Sequence, residues 1–159
     1  MAQDKQALKL AYPLPVYNYR VTIQRDGAPL TLSFAEVVGL SNEYAPVTYK
    51  HGMSFAMGAK VIPGMQQPIR ITLKRGITQS RDELYQWFSG VYGDPSIVHT
   101  KRDILIDLCD EAGQPVIRWR ILQALPVKLD APTFTANSNE VAIEAMEFVA
   151  HDLQVDYKP

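Results

Sequence analysis

The sequence predicts a mainly β fold, an antiparallel barrel or sandwich carrying one short α-helix. Three observations predict it. Short apolar stretches alternate with a period of two along most of the chain, glycine- and proline-containing turns punctuate them, and a single segment switches to helical periodicity. At 159 residues with 47% hydrophobic content, the chain suits one domain, residues 1–159, that buries its own core.

The elements follow in order. Residues 1–11 are charged and polar and read as a mobile N-terminal arm. Tyr12–Val16, with Pro13 and Pro15, enforces an extended entry, because proline fixes its own φ and restricts the residue before it. Tyr17, Tyr19, Val21 and Ile23 alternate with Asn18, Arg20, Thr22 and Gln24, the pattern of a half-buried strand. Asp26-Gly27 then signals a turn, and Leu30–Val38 reads as the returning strand of a hairpin. Glu43–Lys50 reads as a short strand whose Pro46 confines it to an edge or a bulge.

The least ordinary stretch runs from His51 to Gly64. It holds Gly52, Gly58 and Gly64, Met53, Met57 and Phe55, and no acidic residue. It reads as an extended loop too apolar for disorder, which implies a partner surface, with a self-packed Ω-loop as the alternative. Pro68–Lys74 alternates again. Ser80 and Glu83 make a capping box, and Leu84, Trp87, Phe88 and Val91 form an apolar stripe at helical spacing, with Gly90 or Gly93 as the stop. Lys101–Cys109 and Val116–Ala124 flank a turn and read as a hairpin, continued by Leu125–Asp130 past a bend at Pro126. After the turn-rich Ala131–Asn139, Glu140–Val155 reads as one long strand whose apolar phase slips, which predicts a β-bulge near Ala145.

The chemistry of sites is thin. Net charge is −1, so there is no global cationic field for nucleic acid. His51, His99 and His151 lack metal-ligand spacing with Cys109 or each other. Cys109 is the single cysteine, so no intrachain disulfide forms, and Asp107, Asp110 and Glu111 surround it with the wrong charge for a reactive thiolate. No nucleophile elbow, phosphate loop or dinucleotide fingerprint is present. Asp103/Asp107 and Glu144/Glu147 read as solvated strand positions before acid–base pairs. No enzyme, cofactor or metal is expected. No secretory leader or membrane anchor is read at the N-terminus, and synthesis in the cytoplasm is expected.

Six stretches, in this order, resemble the tail tube protein family: Tyr12–Tyr17 (YPLPVY), Phe34–Leu40 (FAEVVGL), Tyr49–Gly52 (YKHG), Ile71–Gly76 (ITLKRG), Leu84–Phe88 (LYQWF) and Asn139–Glu144 (NEVAIE). The family includes the tail tubes of contractile phages and the inner tubes of extracellular contractile injection systems, and shares a fold with the type VI secretion protein Hcp. The resemblance spans Tyr12 to Val155. It implies two orthogonally packed antiparallel sheets, one covering helix, hexameric rings whose inner strands join into a continuous barrel, and stacking of rings into a hollow tube. It implies as partners the protein itself, a sheath protein, baseplate or hub and tube-terminating proteins, and a DNA or protein cargo in the lumen. It implies final assembly into a virion tail or a contractile injection particle.

The same resemblance sends the 46–65 segment to a neighbouring subunit, with His51, Met53, Phe55, Met57, Lys60, Ile62 and Met65 as contact candidates. Leu84, Trp87, Phe88 and Val91 are assigned to helix packing. The opposite helix face (Arg81, Gln86, Ser89) is a candidate sheath contact, and the faces of Lys101–Asp107 and Val116–Ala124 are lumen candidates. The alternatives are a tube-initiating paralogue at a baseplate and, in a different class, a small monomeric ligand-binding β-barrel.

Overall fold

Strand β1 (Tyr19–Ile23) buries Val21 and Ile23 and turns Arg20 outward, as its period of two demands. The computed structural model that shows this describes residues 2–79, 82–93 and 101–159. Its further strands are β2 (Leu30–Leu32), β3 (Glu36–Val38), β4 (Val47–Tyr49), β5 (Lys60–Ile62), β6 (Ile69–Gly76), β7 (Arg102–Cys109), β8 (Pro115–Asp130), β9 (Ile143–Ala150) and β10 (Asp152–Tyr157). Three helices accompany them among the described residues, where the sequence predicted one: α1 (Ala2–Ala11), the single turn α2 (Ser54–Met57) and α3 (Glu83–Gly93). The first eleven residues, read as an arm, therefore carry a helix.

All strand pairs are antiparallel. One sheet runs β2-β1-β7-β8-β10 and the other β8-β9-β6-β3. Strand β8 belongs to both. Its first part, to Ala124, pairs β7 and β10, and Leu125–Asp130 pairs β9. The crossing is made where Gln123 adopts φ 52 and donates its backbone N–H to Asp103 Oδ1 at 2.9 Å. A strand that changes sheets at such a bend forms the corner of a sandwich. The two sheets enclose one core in which Ile23, Ile104 and Ile121 meet Ile71, Leu73, Met146 and Phe148, every one essentially without solvent exposure. Each such side chain contributes about 1.5–3 kcal/mol relative to exposure. The path of strands stays open at β2 and β3, so among the described residues the barrel alternative gives way to a sandwich.

Two sequence expectations are corrected. Leu30–Val38 is two strands in different sheets: β2 pairs β1, while β3 pairs β6, with a bend at Ser33–Ala35 whose Phe34 carbonyl accepts the Tyr19 hydroxyl at 2.6 Å. The bulge expected near Ala145 is absent. Strand β9 pairs β6 in unbroken register from Gly76↔Ile143 to Ile69↔Ala150, and the long segment breaks at His151 instead. Val141 and Ile143 simply sit on the outer, exposed side while Met146, Phe148 and Ala150 face the core, so both faces carry apolar residues and mimic a phase slip. The register irregularity belongs to the partner strand, between Pro126 and Lys128.

Helix α3 covers one splayed corner of the sandwich. Leu84 and Trp87 are buried, Trp87 stacks at 5.1 Å on Phe148, and Arg102 lies 4.8 Å over the Trp87 ring. Below the helix start, Arg75 is buried against Glu144 at 2.5 Å and Glu83 at 3.9 Å. The helix passes through Gly90, and Gly93 is the last residue of its described part. Ser80 of the predicted capping box lies outside the described residues, as do Arg81 and His99.

Candidate assembly interface

Residues 43–67 are a hairpin arm, not a loop. Strands β4 and β5 pair only with each other, through Val47↔Ile62 to Tyr49↔Lys60, and the isolated bridge Tyr44↔Gln66 ties the base. Gly64 is needed there because a β-carbon would run into the Ala45 carbonyl. At the tip, the Ser54 hydroxyl accepts the His51 backbone N–H at 2.7 Å, and His51 Nδ1 accepts that of Met53 at 3.1 Å. These bonds fold α2 locally.

From Ser41 to Gln67 no residue is buried. Phe55 is 87% exposed, Met65 84% and Met57 75%, with Met53, Val61 and Ile62 also open. A two-stranded hairpin is at best marginal by itself in water, and these apolar side chains find no buried place within their own subunit. The seven contact candidates thus share one arm, with His51 half-buried at its tip turn and the other six exposed. The helix stripe goes elsewhere: Leu84 and Trp87 are in the core, with Phe88 and Val91 packed against it. On the far side of α3, Gln86 is exposed and Ser89 half-buried.

The outer face of the first sheet is a charge ladder. Arg20, Asp107, Arg118 and Asp156 stand in register across β1, β7, β8 and β10. Arg118 grips Asp107 with two bonds of 2.6 and 2.9 Å, Arg20 approaches it at 3.8 Å, and Arg120 holds Asp156 at 2.8 Å. The hydrogen bond to Asp107 raises the Arg118 pKa further, and the two arginines leave Asp107 only 3% exposed. Of the alternating charges read as lumen candidates, Asp107 and Arg118 pair with each other and Arg120 pairs with Asp156 along this face.

The free edges of that sheet were not legible in the sequence. Strand β10 pairs only β8, and β2 only β1, among the described residues. On β10, Lys158 sends its N–H to the Val116 carbonyl, so even-numbered positions bond inward and Leu153, Val155 and Tyr157 turn their backbones to the edge. Leu153 is capped: its carbonyl accepts Asn42 Nδ2 at 2.9 Å and its N–H is taken by Asp152 Oδ1 at 2.8 Å. Val155 and Tyr157 carry no such cap and are exposed. Among the described residues no cluster of metal-ligating side chains occurs, and no helix is long and apolar enough to cross a membrane.

The family described as T4-like virus tail tube protein gp19 matches residues 15–154. Among solved structures, a chain of the sheath–tube complex of the extracellular contractile injection system PVC in its extended state is similar, at 27% identity and TM-score 0.84, covering 96% of this chain and 97% of that one. A chain of the PVC sheath/tube terminator is similar at 28% identity and TM-score 0.80, covering 92% and 99%. One from the tube-terminating cap of the anti-feeding prophage is 27% identical, TM-score 0.80, covering 92% of each. A comparison with curated protein sequences gives no match. With the sandwich, the exposed arm and a family match across nearly all of its length, this chain belongs to the T4-like tail tube protein family.

Proposed function

We propose that the chain is the repeating subunit of the hollow inner tube of a contractile phage tail or phage-tail-like injection particle. Protomers close into hexameric rings, rings stack into a tube, and a contracting sheath drives the tube through a target envelope with DNA or protein cargo in its bore. The observation that carries this is the match to a chain of an injection-system sheath–tube complex over nearly the full length of both. The geometry supports it from two sides. Among the described residues the first sheet ends in unpaired edges at β2 and β10, which ring closure removes, and no arm residue is buried within its own subunit. The role is mechanical and not enzymatic, and needs no cofactor. Its partners are further copies, a sheath, a baseplate and a terminator.

The main-tube reading is favoured over a baseplate initiator because the likeness to a chain from a baseplate structure is 19% identical and speaks only for the fold. Negative-stain electron microscopy of the concentrated protein, beside its mass in solution, tests the proposal. Rings with a central hole or stacked tubes are expected. A compact monomer that also fails to polymerise on a matching baseplate would overturn it.

A further inference from the structure

The sandwich has a second splayed corner, and nothing in the described chain fills it. Where α3 covers one corner with Trp87, the other is an open groove of ≈ 370 Å³ between β1, β7 and β8 on one side and β3 on the other. Tyr19, Trp119, Val37 and Leu40 form its walls, Val16 stands on its rim, and each wall residue is only half-buried, though they pack against the core. The one carboxylate on it is Glu36.

We propose that the arm tip of a second copy, led by Phe55 and Met57, plugs this groove. This deepens the tube reading and rests on it. Three observations select that occupant. The tip supplies a benzyl group and a thioether that stand 87% and 75% exposed on their own subunit. A cavity of roughly 150 Å³ holds one benzene, so the groove has room for both side chains. Charge does not oppose it: from Tyr44 to Gln67 the arm carries Lys50 and Lys60 and no carboxylate, and the groove's single charge, Glu36, is already held by Lys74 Nζ at 3.0 Å. Reach excludes the arm's own groove. Val37 and Leu40 lie on the segment that leads into the arm base, and the hairpin from Tyr44 to Lys50 extends about 20 Å beyond that base at the usual strand rise.

A protrusion that fits a groove elsewhere on the same molecule makes a heterologous, head-to-tail contact. Such contacts propagate from copy to copy and do not saturate in a dimer. The groove is therefore a socket for a neighbouring copy, whether the contact closes a ring or joins one ring to the next, and each copy is both plug and socket.

Cross-linking tests this directly. Phe55→Cys and Val16→Cys protein, mixed and assembled, should form an intermolecular disulfide under mild oxidation; Phe55→Cys mixed with Thr133→Cys should not. The native Cys109 is buried and stays out of the reaction. Val16→Asp on the socket and Phe55→Asp on the plug should each lower polymerised protein at least tenfold while leaving the monomer's unfolding midpoint unchanged. Both positions are more than four-fifths exposed, so loss of fold is not expected. Tubes that form normally from Val16→Asp protein, or that give no Phe55–Val16 disulfide, would overturn the socket and leave the tube proposal standing. Wild-type protein that never assembles, even on a baseplate, would overturn the tube proposal and the socket together.

Discussion

Tyr19 illustrates how one side chain joins stability to the corner of the sandwich. Its hydroxyl bonds the Phe34 carbonyl at the point where the chain leaves one sheet for the other. Burial, and secondarily Glu36, raise its pKa above the ordinary 10.0. The folded protein therefore holds this proton more tightly than the unfolded chain does. The stabilisation is complete below pH 10 and is lost as pH climbs through the folded value. Urea unfolding across pH 9 to 11 should show a steeper alkaline loss in the wild type than in Tyr19→Phe, which is less stable at neutral pH by about 1 kcal/mol for the missing hydrogen bond. Parallel alkaline slopes for the two proteins would remove Tyr19 as the cause.

Two glycines separate what holds the element β3–β6 from what holds the arm. Gly39 has φ +98 directly after β3, and a β-carbon there would run into the Arg70 carbonyl of β6. Gly39→Ala should destabilise the monomer by at least about 1–3 kcal/mol in denaturant titration, from the left-handed backbone alone. Gly64 meets an equally close backbone atom, but at the arm base, where nothing is buried. Gly64→Ala should distort the arm base locally and cost the monomer less than Gly39→Ala does, because no arm residue is buried, and yet impair polymerisation seen by microscopy. A Gly64→Ala protein that unfolds as early as Gly39→Ala would show the arm to be part of the folded core.

At the scale of the whole molecule, the exposed edge of β10 is the feature with consequences beyond the subunit. Val155 turns its backbone N–H outward, whereas Gln154 turns its own toward Arg120 of β8. Proline is tolerated on the open side of an edge strand and not on the paired side. Val155→Pro should therefore keep the monomer's fold and abolish rings, while Gln154→Pro should lower monomer stability by about 3 kcal/mol or more. Rings from Val155→Pro protein would show that closure does not use this edge. The cap on Leu153 by Asn42 and Asp152 limits the usable edge to Val155 and Tyr157, so the expected pairing with a neighbour is short.

The sequence by itself determined which residues face inward along β1, β6 and β7, the hairpin turns at Asp26-Gly27 and Asp110–Gln114, and the stripe of α3. Each of these is a matter of local periodicity or turn chemistry, and period two or 3.6 is visible within a few residues. It also singled out His51–Gly64, apolar and without acid, as a stretch that wants a partner surface, though not that it belongs to a hairpin. Only the tertiary structure decided which sheet each strand enters. Alternation gives a strand its faces and says nothing of its neighbours, so Leu30–Val38 looked continuous although it serves two sheets, and β8 concealed its dual membership. Asp107 looked like a solvated strand carboxylate and is buried because Arg20 and Arg118 arrive from flanking strands. The socket likewise has no signature in sequence. Its walls come from residues as distant as Val37 and Trp119, and they meet only where two sheets part at a corner.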